Sequence, residues 1–206
     1  MIIKEVDFEK EMSTLLTKSS IPLVYLVRHP CGNVLSHVKG QQSGKMTTKR
    51  NQYLGKFMQR NAPDLYDRHK DKIADMSVLE IVTWFWRISL DLGVKAIQDS
   101  GRGKLLTYEQ LCDDADGCAQ SIFEYFGLSY PTESQNFVAG LYASEAAKDG
   151  GRKKDLMDGY FTVHRNPQKQ KDAWKAKITS AQRKVIEGIV KDSPAFEYCA
   201  ALGDWD

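Results

Sequence analysis

Arg28 and Ser36 are the side chains in this 206-residue chain whose types and spacing speak most directly of chemistry. Arg28 closes the apolar run Leu23-Val24-Tyr25-Leu26-Val27, and Ser36 follows eight positions later, beyond Pro30 and Gly32. A guanidinium presents parallel N–H donors to an oxyanion, and a hydroxyl near a helix start adds another where unpaired backbone N–H groups already favour negative charge. The pair therefore reads as a phosphate grip. The competing reading is an arginine capping a strand end and a serine satisfying a helix terminus; these residues alone leave the two evenly balanced.

A grip of this kind needs a strand to carry Arg28 and a helix to carry Ser36. Residues 23–27 are almost wholly apolar, as expected of a parallel strand covered on both faces. Pro30 and Gly32 break the run. Asn33 is a suitable N-cap, with Val34, Leu35 and Val38 then at helical spacing and Ser36 in the first helical turns. Arg28 is thus expected at the carboxyl end of a strand, where open α/β sheets bind ligands. Upstream, residues 1–6 read as a short strand. Asp7 then caps a helix carrying Phe8, Met12, Leu15 and Leu16 on one face. That β–α–β order implies a right-handed parallel crossover.

Downstream, residues 41–50 form a polar loop, better read as an exposed connector than as a substrate border. A helix is expected near 51–61 with Tyr53, Phe57 and Met58 on its buried side, ended by Ala62-Pro63. The capping box Ser77…Glu80 opens a long helix bearing Leu79, Val82, Trp86, Leu90, Val94 and Ile97, closed by Ser100-Gly101. Trp84-Phe85-Trp86 is better read as core than as a ligand platform. A third strand near 103–108 runs into a loop. Asp113, Asp114 and Asp116 then precede a helix with Ile122, Phe123 and Phe126 on its apolar face. Glu109 is best read as a carboxylate satisfying loop N–H groups. Thr132…Gln135 suggests a capping box opening a helix to about residue 147, and Thr179…Gln182 another, with Val185, Ile186 and Ile189 as core. Residues 148–165 read as a long surface loop.

Bulk properties fit one domain spanning 1–206, with 42% apolar and 27% charged residues. A net charge of +2 is too balanced to argue for nucleic acid or a membrane surface, and no nucleic-acid partner is expected. The apolar runs are too short to span a bilayer, and Glu5, Asp7 and Glu9 interrupt any signal-peptide core. Cys31, Cys112, Cys118 and Cys199 lack metal-type spacing and read as free thiols of a reducing compartment.

Tyr-Leu-Val-Arg-x-Pro followed by Val-Leu-Ser resembles the sulfotransferase motif that holds the 3′-phosphate of 3′-phosphoadenosine 5′-phosphosulfate (PAPS). Leu-Leu-Thr-Tyr-Glu-Gln-Leu with its following helix and Phe-Gly-Leu is similar to a second segment of that family. The resemblance runs from about residue 2 to about residue 190. It implies a P-loop-kinase-like α/β fold, a three-layer parallel sheet with helices on both faces. Arg28 and Ser36 would bind the 3′-phosphate, Tyr108 would border the adenosine, and Lys4 would face the transferring sulfuryl group. Trp174-Lys175 matches a family pair. The Arg-Lys-Gly run of the family's basic loop is absent, which leaves Arg165, Lys169 and Lys171 as weaker phosphate candidates beside a solvated-charge reading. The family's Gly-rich loop of the Pro-Lys-Ser-Gly-Thr type has no counterpart; Gly44-Lys45-Met46-Thr47 follows no strand. The family's catalytic histidine falls on Val6, so no general base is assigned. The chain is accordingly expected to correspond to the later part of a family domain, with the first strand and P-loop missing and a weakly paired sheet. The implied activity is sulfuryl transfer from PAPS to a hydroxyl or amine of a small-molecule, glycan or peptide acceptor, without a metal. The alternatives are a non-catalytic nucleotide-binding or interaction module and a nucleotide kinase-like phosphotransferase. A cytoplasmic location is expected, or the Golgi lumen if an N-terminal anchor precedes the chain.

Overall fold

The computed structural model describes residues 9–143, 167–203 and 205. The expected strand at 1–6, Lys4, the Asp7 cap with Phe8, and Arg165 with the loop 148–165 all lie outside them. Helix α1 (Glu9–Lys18) leads to strand β1 (Val24–Val27) and α2 (Pro30–Gln42). A 3-10 turn at Asn51–Tyr53 enters α3 (Leu54–Asn61) and α4 (Pro63–His69), and a second 3-10 segment (Lys70–Asp75) precedes α5 (Val78–Ser100). Strand β2 (Lys104–Thr107) passes directly into α6 (Tyr108–Asp113), then α7 (Ala115–Tyr125) and α8 (Thr132–Ala143). The last elements are α9 (Pro167–Lys171), α10 (Ser180–Val190) and α11 (Pro194–Gly203).

The described residues are therefore mostly helical, and β1 and β2 form a two-stranded parallel sheet with Val24 opposite Lys104 and Val27 opposite Thr107. The expected three-layer sheet is not shown by the described residues, which carry these two strands. Among the described residues β1 has no strand on its outer edge, and Leu26 is 49% exposed, so β1 is not covered on both faces.

Helix α5 is the axis of the core. Its 23 residues span about 35 Å. Ser77 caps it reciprocally with Glu80, and Gly101 ends it at φ 60°, a left-handed value that favours glycine. Four apolar clusters meet on it, one of them joining Ala96 to Met12 and Leu16 of α1. Val82 packs with Val34 and Val38 of α2 and Ile186 of α10. Trp84, Phe85 and Ile88 pack with Leu54, Met58 and Leu65. Leu90 and Val94 pack with Val27, Ala195 and Cys199. Trp84 and Phe85 are thus core residues, as expected of Trp84-Phe85-Trp86, although they lie off the stripe that carries Trp86. Arg87 is buried among them, only 6% exposed, and ties α5 to the end of α10 through the Ile189 carbonyl and Asp192 Oδ1 at 2.8 Å.

Several local expectations need correction. Helix α2 starts at Pro30, three residues before Asn33, because proline's fixed φ and missing N–H suit the first helical position. Thr132 is already helical. The Pro131 carbonyl accepts the Ser134 and Gln135 N–H groups, and the Gln135 side chain donates to the Tyr130 carbonyl instead of closing a capping box. The loop expected after β2 is helix α6, capped reciprocally by Thr107 and Gln110.

Candidate functional site

Strand β1 delivers Arg28 to the sheet's carboxyl edge, and the chain turns at once into α2. His29 is the N-cap: its Nδ1 accepts the Cys31 N–H at 3.1 Å, and its carbonyl accepts the Asn33 N–H at 3.0 Å. Ser36 therefore lies nearly two turns into α2, its backbone N–H engaged within the helix, so its contribution to any ligand is its hydroxyl. This corrects its expected place at the helix start. The two side chains nevertheless share a face. A Cβ built on Gly32 would lie 3.0 Å from Arg28 Nε and 3.1 Å from Trp174 Cδ1. Ser36, four residues on, projects from that same face and leans toward the helix start.

The Arg28 guanidinium is sandwiched. It lies 4.5 Å from the centre of the Tyr108 ring, at the first position of α6, and donates to the Gln170 carbonyl of α9 at 3.4 Å. Its Nε is buried without a partner. Among the described residues the Gly32 N–H, in the first turn of α2, also has no acceptor. An unsatisfied buried donor costs about 1–3 kcal/mol. An anion's oxygens would satisfy both donors beside an aromatic face, which is the chemistry of a nucleotide phosphate next to its nucleoside.

A second layer fixes Arg28. The His29 ring stacks on Trp174 at 4.3 Å and meets the edge of Trp205 at 5.4 Å. Glu109, 3% exposed, accepts the His29 backbone N–H at 3.2 Å and the Trp205 indole N–H at 2.7 Å. That is the satisfying role read from sequence, although its indole partner was not foreseen. Burial pushes the imidazole down to about 3, helped by Arg183, Lys175 and Arg28, so the ring beside the arginine is neutral. Burial raises the Glu109 carboxyl above its ordinary range, and raises the Tyr108 phenol to about 12. His29 and Trp205 escaped the sequence reading; adjacency to Arg28 was the only signal for the first, and the second had none.

Of the other expected residues, Lys169 lies on α9, next to the residue whose carbonyl holds Arg28. Lys171 makes a 2.7 Å ion pair with Asp113. Trp174 is buried, with the Lys175 ammonium 5.8 Å from its ring centre. The four thiols are unbridged, and burial lifts Cys31 and Cys199 to about 12, where they are poor nucleophiles. No helix among the described residues is long and apolar enough to cross a membrane, and no cluster there could hold a metal ion. No family model matches the chain, and neither a curated protein nor a solved structure matches it.

Proposed function

We propose that this chain forms the PAPS-gripping part of a sulfotransferase built on a three-layer parallel α/β sheet of the P-loop-kinase type. Arg28 and the Ser36 hydroxyl hold the 3′-phosphate, Tyr108 borders the adenosine, Lys169 and Arg165 add positive charge nearby, and Lys4 faces the sulfuryl group. In the reaction the acceptor oxygen or nitrogen bonds to sulfur as the bridging S–O bond breaks. The acceptor proton goes to a base, and adenosine 3′,5′-bisphosphate leaves with the electron pair. A cation at Lys4 would offset the charge growing on the bridging oxygen. The observation that supports this reading is the buried Arg28 Nε, without a partner, against the Tyr108 ring.

The test is calorimetric titration with adenosine 3′,5′-bisphosphate. Arg28→Ala should weaken binding by about tenfold or more, since charge-assisted bonds contribute roughly 1.5–3 kcal/mol. Equal binding by wild type and variant would overturn the assignment. A second reading, a non-catalytic nucleotide-binding module, is favoured by the lack of any Pro-Lys-Ser-Gly-Thr-type run in the sequence. It shares the binding result and differs in showing no transfer of labelled sulfate from PAPS to any acceptor.

A further inference from the structure

A cavity of about 320 Å³ opens between α3 and α5, on residues that the Arg28 site does not use. Arg50, Lys56 and Arg60 line it together with Tyr53, Phe57 and Phe85. The aromatic floor is continuous: Phe57 and Phe85 sit 4.9 Å apart, and the Arg50 guanidinium lies 4.4 Å over the Phe85 ring. Tyr53, expected in the core, is 52% exposed, because Leu54 and Met58 take the buried face of α3. The one carboxylate in the lining, Glu9, accepts the Tyr25 hydroxyl and leaves the cavity with an excess of two positive charges.

One of these cations is placed against the local electrostatics, while Arg60, in the last turn of α3, is favoured by the helix dipole. Lys56 stands in the first turn of α3, where the helix dipole disfavours a cation and where no acidic residue occurs. Lys56 and Arg60 are four apart on one face, a like-charge pair that repels. Among the described residues neither has an ion-pair partner. An arrangement that concentrates positive charge over aromatic rings is complementary to an anion carried on a flat apolar body. We infer that this cavity binds an organic oxyanion, a sulfate, phosphate or carboxylate borne on a ring, with the oxyanion at Lys56 and Arg60 and the ring against Phe57 and Tyr53. The inference does not rest on the Arg28 reading.

The experiment titrates the full chain with 2-naphthyl sulfate, inorganic sulfate and 2-naphthol by calorimetry, alongside thermal unfolding. Wild type should bind 2-naphthyl sulfate saturably, and at least tenfold more tightly than either fragment, because both halves of the site are needed. The Lys56→Ala/Arg60→Ala variant should bind at least tenfold more weakly while melting at the same or a higher temperature. A purely structural role for the two cations would give no such split. Each single variant should weaken binding severalfold. Arg28→Ala, which tests the other site, should bind 2-naphthyl sulfate as wild type does. The inference is overturned if wild type shows no saturable binding at millimolar ligand, if a fragment binds as tightly as the ester, or if the double and single variants retain full affinity.

Discussion

Replacing His29 with asparagine should flatten the acid limb of the stability curve. The folded imidazole is held at about 3, against 6.5 for the ordinary group. Between those values the unfolded chain takes up a proton that the native protein refuses, so native stability falls as pH falls through that window. A gap of this size costs wild type about 2 kcal/mol on going from pH 7 to pH 5, at roughly 1.4 kcal/mol per unit once below 6.5. Asparagine keeps an acceptor for the Cys31 N–H but cannot titrate there. It also loses the stack on Trp174, so the variant should be less stable at neutral pH while closing most of that gap by pH 5. Glu109, whose carboxyl is raised, contributes with the opposite sign but is present in both proteins and cancels in the comparison. Urea denaturation at stepped pH measures the difference. Parallel curves for wild type and variant between pH 7 and pH 5 would refute the claim that a buried neutral imidazole supports Arg28.

Gly32→Ala should drive a methyl group into Arg28 Nε and the Trp174 ring, 3.0 and 3.1 Å away. Overpacking of about 1–3 kcal/mol, partly offset by better helix propensity, should lower stability slightly, whereas calorimetry should show adenosine 3′,5′-bisphosphate binding weakened by about tenfold. Asp192→Ala should destabilise the fold by about 1 kcal/mol, because the buried Arg87 cation loses its shortest ion pair but keeps the Ile189 carbonyl and Asp91, 3.7 Å away; chemical denaturation measures it. Ser77→Ala removes the cap of α5 and should cost about 1 kcal/mol, a melting-temperature fall of roughly 2–4 °C by calorimetry.

The long helix and its caps were legible because Ser77…Glu80 and Thr179…Gln182 precede strongly periodic apolar runs. Both described strands fell within the expected ranges. The errors share a cause in how proline was weighed. Proline at 30 and 63 looks like a breaker in sequence, yet four of the six prolines, at 30, 63, 167 and 194, stand first in a helix. Treating Pro30 as an interruption moved the start of α2 and with it the placement of Ser36. The same oversight hid α4 and α11. Thr107…Gln110 went unseen because the apolar run before it carried the strand reading past its end. At the site, Arg28 and Tyr108 were each named by the resemblance, and the two side chains lie together. The frame of His29, Trp174, Trp205 and Glu109 could not be read, since it joins residues far apart in the chain and only tertiary packing brings them together.

The hydrogen bond from Arg28 to Gln170 spans 142 positions of sequence. Arg28 thus acquires its final surroundings only after segments far apart in the sequence have met. Closing so large a loop is entropically costly and comes late in folding. A chain emerging from the ribosome would carry Arg28 and Tyr108 long before it carried their roof. Any ligand that needs this corner assembled would be captured only after that closure.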